Sequence, residues 1–146
     1  MDTKKIFHSI SYLQYPLLAV VLYYYVLFFI STGETELKWT ELNNALVFLG
    51  IQIGVATLQD TTKTQNEFSR KIWENSVKGK IAIWIMTFVM LLFLIIGLIG
   101  FLGSRENVHK EISFGLITLG IGLIGMLKSA IEMFENHRKD KKNSNS

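Results

Sequence analysis

The stretch IAIWIMTFVMLLFLIIGLIGFLGS, from Ile81 to Ser104, decides the fold class, because its 24 consecutive residues carry no charge. At 1.5 Å per residue a helix of that length rises ~36 Å, more than the ~30 Å hydrocarbon core of a bilayer. A helix satisfies its own backbone polar groups, which lipid cannot do, so such a run reads as a membrane-spanning helix. Three weaker runs accompany it. Ile10–Ile30 gives 21 uncharged residues, 18 lie between Glu41 and Asp60, and Ile112–Leu127 gives 16. Lys128 extends the last, since its apolar stem lets the ammonium reach the headgroups. The expected fold is an all-α integral membrane four-helix bundle. Its spans fall at about 10–31, 41–60, 81–104 and 112–133, with a basic loop over 60–80 and a polar tail over 135–146.

Composition agrees. Of 146 residues, 49% are hydrophobic and only 18% charged, and the charges gather between the runs. A soluble chain of this size scatters its charge, because each amphipathic element must show water a polar face. Cysteine is absent, which removes disulfides, thiolate nucleophiles and Cys-ligated metals. The net charge of +3 does not call for nucleic acid, because membrane topology accounts for the basic residues. Lys4, Lys5, Lys63, Arg70, Lys71, Lys78, Lys80, Lys128, Arg138, Lys139, Lys141 and Lys142 fall on one side of a four-span chain, and only Lys38, Arg105 and Lys110 on the other. The positive-inside rule then puts both termini in the cytoplasm, in a multi-pass protein of the cell (inner) membrane. Trp39 at one boundary and Tyr12, Tyr15, Trp73 and Trp84 at the other fit interfacial belts. One competing reading takes Lys4-Lys5, Leu17–Ile30 and Ser31-Thr32-Gly33 as a cleaved signal peptide, leaving three spans.

The two halves carry a faint repeat. A shift of 70 residues aligns Leu22 with Leu92, Gly33 with Gly103, Glu36 with Glu106, Glu41 with Glu111 and Leu46 with Leu116, and Leu49-Gly50-Ile51 with Leu119-Gly120-Ile121. Two hairpins of one orientation would give a parallel repeat about an axis along the membrane normal, and chance among apolar helices is the alternative.

Small residues mark the expected packing faces. In the fourth span Gly115, Thr118, Gly122, Gly125 and Ser129 occupy an arc of about 80°. In the second, Gly50 and Gly54 share a face with Asn43 and Thr57, while Ala45, Gln52, Ala56 and Gln59 lie opposite. Lipid supplies no hydrophobic drive between helices, so close backbone approach at such stripes is what associates them. The partner is either another helix of this chain or a second subunit in a homo-oligomer. Gln52 at mid-span needs a hydrogen-bonding neighbour. Alternatively Asn43, Asn44, Gln52 and Thr57 line a polar path between subunits, which makes a passive pore, channel or small transporter subunit formed by oligomerisation the rival function. Tyr23, Tyr24 and Tyr25 sweep too much of the first span to face one neighbour, and read as packing and interface anchors. Pro16 either kinks that span or falls in its first turns.

The 60–80 loop holds Phe68, Ile72, Trp73 and Val77 at helical spacing among Arg70, Lys71, Lys78 and Lys80. It reads as a helical extension or an interfacial segment facing anionic lipid headgroups or a partner protein, or as a solvated loop that only sets topology. Lys128 and Glu132 are spaced to pair. Glu41 and Glu111, preceding the second and fourth spans, suit helix N-termini. No span carries Asp, Glu, Lys, Arg or His at its middle, unlike proton-coupled pumps and the small four-helix drug exporters. His8, His109 and His137 fall in different polar segments, and no phosphate loop, catalytic constellation, metal-ligand spacing or cofactor motif stands out. The expected function is therefore non-enzymatic assembly or accessory work within the membrane.

Overall fold

In the computed structural model, residues 3–31, 39–59, 67–103 and 107–138 are described. They form α1 (Thr3–Ser11), α2 (Gln14–Ser31), α3 (Trp39–Ala56), α4 (Glu67–Trp73), α5 (Ser76–Gly103) and α6 (Asn107–His137). The described residues are all-helical, without a strand. The expectations resting on Glu34, Glu36, Lys38, Lys63, Arg105, Glu106, Lys139, Lys141 and Lys142, and on the side chains of Lys4, Lys5 and His109, lie outside them.

Three helical segments are long and apolar enough to cross a membrane: Ile6–Ile30, Ser76–Gly103 and Lys110–His137. Helix α3 is not among them. Its 18 residues suffice in length, but Glu41, Asn43, Asn44 and Gln52 dilute the apolar run.

Pro16 explains why the first run is two helices. Its ring excludes the carbonyl four residues back and it has no N–H to give Tyr12. The Tyr12 carbonyl instead accepts from the Tyr15 N–H at 3.2 Å, and the chain turns at Tyr12–Leu13 between α1 and α2. The buried Ser11 hydroxyl closes the end of α1 on the His8 carbonyl at 2.7 Å.

The four longest helices are neighbours in the order α2, α3, α6, α5, with no extensive contact between α2 and α5. The arrangement is an open row. The cause is α6, whose small residues serve both flanks and draw α3 to one side and α5 to the other. Along α3 and α6 residue number rises together. Thr40 meets Glu111, Asn43 meets Gly115, Gly50 meets Thr118 and Gly122, and Thr57 meets Gly125 and Ser129. The two helices are therefore parallel, with partners separated by 71 residues at Thr40 and Glu111 and by 72 at Thr57 and Ser129. On the other flank number rises in α5 as it falls in α6: Gly79 meets Phe134, Leu94 meets Gly120 and Gly100 meets Ser113.

Beyond the end of α3, a small core joins α4 to its neighbours. Trp73, Ala130 and Phe134 are buried there, with Ile72, Ala82, Ile83, Met86 and Met133 around them. Trp73 donates its indole N–H to the Ser69 hydroxyl at 2.9 Å, which aims the ring inward. Asn75 then starts α5, its Oδ1 accepting from the N–H groups of Val77 and Lys78 at 3.0 Å each. From Glu67 onward the 60–80 segment is a short helix, a break and the first turn of α5.

Candidate helix-packing and polar sites

The α3–α6 seam is built on missing side chains. A Cβ on Gly122 would collide with the Gly50 carbonyl, and one on Gly50 with the Thr118 carbonyl, so the backbones touch at this level. A turn away, a Cβ on Gly115 would lie 2.8 Å from Asn43 Oδ1, and one on Gly125 3.0 Å from Thr57 Oγ1. Polar groups close the ends. Thr40 Oγ1 donates to Glu111 Oε2 at 3.1 Å, and Ser129 Oγ donates to the Thr57 carbonyl at 3.1 Å. Thr57 Oγ1 turns back on the Gly54 carbonyl at 2.6 Å. Gly115, Thr118, Gly122, Gly125 and Ser129 therefore meet α3 of the same chain. Glu111 sits in the second turn of α6, which starts at Asn107, so it works as this hydrogen-bond acceptor and not as an N-cap.

Gly54 departs from the expected pattern. Nothing lies within 4 Å of where its Cβ would be. The α6 positions at its level, Gly122 and Gly125, carry no side chain to reach it, so the Gly50-x-x-x-Gly54 spacing makes one close contact instead of two.

The α5–α6 seam was not anticipated. Gly97 admits Ile117 and the Ser113 carbonyl, Gly100 admits the Ser113 hydroxyl, and Gly120 admits Leu94. The Gly97-x-x-Gly100 spacing was the available signal, hidden in the most apolar run of the chain. Gly120, the repeat mate of Gly50, thus faces a different neighbour from Gly50.

The polar residues of α3 do not share one face within the chain. Asn43 and Thr57 face α6, while Gln52 stands nine residues from Asn43, about 180° around the helix. Asn43 Oδ1 is buried without a hydrogen bond, against Gly115. Gln52 is half-buried and makes no hydrogen bond among the described residues. It lies on the face where Phe48 stacks on Tyr24, ring centres 5.6 Å apart and planes 13° apart. Tyr23 points outward, and Phe28 meets Trp39 at 6.2 Å. A cavity of about 350 Å³ beside Phe88, Leu91, Leu92, Ile95 and Ile96 has no polar lining.

At the α4 end, Arg70 pairs with Glu74 at 3.9 Å, Lys128 with Glu132 at 3.5 Å and Arg138 with Glu135 at 3.5 Å. Arg138 also lies over the Phe134 ring, 5.6 Å from its centre. Lys71, Lys78 and Lys80 are exposed and make no ion pair among the described residues. His137 Nδ1 is 2.9 Å from the Met133 carbonyl, and His8 packs its ring on Tyr12 at 5.4 Å. Among the described residues no three His, Cys, Asp or Glu side chains gather to hold a metal. No family model, curated protein or solved structure matches this chain.

Proposed function

We propose that this is a non-enzymatic membrane protein that assembles with a second copy of itself or with another membrane protein. In this reading α2, α3, α5 and α6 all cross the cell (inner) membrane, with both termini and α4 in the cytoplasm. The excess of Lys and Arg at the α4 end supports the orientation. The position of α3, flanked by α2 and α6 and parallel to α6, supports its crossing despite its polarity. The parallel register near 70 residues supports two tandem hairpins.

The observation that carries assembly is Gln52. A half-buried amide at mid-span has both donors and its acceptor to satisfy, and hydrocarbon offers none. Interhelical amide bonds in membranes contribute about 0.6–2 kcal/mol, enough to bias an association. The α6 stripe is already used within the chain, so in this reading assembly runs through this amide instead. Crosslinking and native mass spectrometry, in mild detergent and in lipid, test the reading. Oligomers or a co-purifying membrane partner are expected, weakened in Gln52→Leu. A strictly monomeric protein under both conditions would overturn it.

A further inference from the structure

At the α4 end, apolar side chains and lysines are exposed together on α4 and on the first turns of α5. Along α5, Val77, Ile81, Trp84 and Phe88 recur at steps of four, three and four, so they form one stripe about 60° wide. All four are open, Trp84 at 73% and Val77 at 67% exposure. Lys78 and Lys80 flank the first turn of this stripe on opposite sides. Helix α4 adds to the same region. Trp73 and Ser69 pin one face of it against α6, and on the opposite face Phe68, 74% exposed, stands one turn before Lys71. Glu67 makes no ion pair with Lys71 among the described residues.

From this we infer that the α4–α5 elbow is a binding site for anionic phospholipid of the cytoplasmic leaflet, with Lys71, Lys78 and Lys80 on the headgroup phosphate and Phe68, Val77 and Trp84 among the upper acyl chains. The inference rests on the orientation proposed above. Two observations select lipid over a soluble protein. The stripe runs without interruption from Val77 into Phe88 and Ile95, at the depth of the bilayer. The charge left over is also positive and local: among the described residues Arg70, Lys128 and Arg138 hold carboxylates, and these three lysines do not. Lysines beside an apolar stripe lay their stems along it and offer the ammonium groups to phosphate.

The test is native mass spectrometry of the full-length protein in mild detergent, titrated with phosphatidylglycerol or phosphatidylcholine. Wild type should retain phosphatidylglycerol preferentially, and the triple variant Lys71→Gln, Lys78→Gln, Lys80→Gln should lose on the order of tenfold or more of that preference. Lys128→Gln, which removes a cation already paired with Glu132, should leave it unchanged. Four results would overturn the site: equal retention of both lipids by wild type, an unaltered preference in the triple variant, an equal loss in Lys128→Gln, or displacement of bound lipid by glycerol phosphate at matching concentration. The last would mean that acyl chains contribute nothing. Oligomeric state is read from the same spectra, so wild-type oligomers that retain both lipids equally mark failure of the site alone, and a lipid preference in a strictly monomeric protein marks failure of the assembly reading alone.

Discussion

Gly50 and Gly54 are four residues apart on one helix, yet their surroundings are opposite. At Gly50 and Gly122 backbone meets backbone, so an added methyl has no flexible atom to push aside. Gly122→Ala and Gly50→Ala should each destabilise by about 1–3 kcal/mol, the usual cost of overpacking. Gly54→Ala meets open space and removes a flexible residue from a helix interior, so it should stabilise by up to about 1 kcal/mol. Denaturation midpoints in micelles check both signs, and equal effects at the two positions would refute the seam. The α6 stripe was legible in the sequence because its spacing is helical. The role of Gly54 was not, because spacing says which face a residue shares and not what stands opposite. Gly97 and Gly100 were missed for a related reason: among so many large apolar residues, two glycines look like dilution until a neighbour is seen against them.

At the level of elements, the long apolar runs were readable because length and charge alone define them. The breaks were harder. Pro16 was visible as a candidate kink, but only the Tyr15 to Tyr12 bond locates the turn at Tyr12–Leu13. The helical spacing of Phe68, Ile72, Trp73 and Val77 suggested one face, whereas the break at Glu74–Asn75 sends Trp73 inward and leaves Phe68 and Val77 outside. Helix α4 has seven residues, too short to hold its shape alone, so it depends on the Trp73, Ala130 and Phe134 core. Phe134→Ala should cost about 3–5 kcal/mol at this core. Its signature should be local: red-shifted Trp73 fluorescence and faster tryptic cleavage at Arg70 and Lys71, with the α3–α6 seam retained. Loss of all helical signal would mean the core supports the whole molecule.

Across the whole molecule, the sequence predicts four spans, of which three are long and apolar enough to cross a membrane among the described residues, and it does not give the order in which the helices pack. Composition assigns lipid to α5, and it is indeed open along one face, yet which flank of α6 it takes depends on paired contours. The absence of cysteine makes the proposed topology directly testable. Single substitutions Asn75→Cys and Asn136→Cys should react with a membrane-impermeant thiol reagent only from the cytoplasmic side, and Thr40→Cys only from the other. Labelling of Thr40→Cys from the same side as Asn75→Cys would remove α3 from the crossing helices.

Helix α6 follows the other described helices in the chain, and it owns both glycine seams. While the ribosome is still making it, α2 and α3 can pair, but α5 has no long partner and α3 keeps Gly50 and Asn43 facing nothing of their own chain. The two seams therefore close only once α6 has been made, and a chain that stops short of Gly122 would leave Gly50 without its backbone partner.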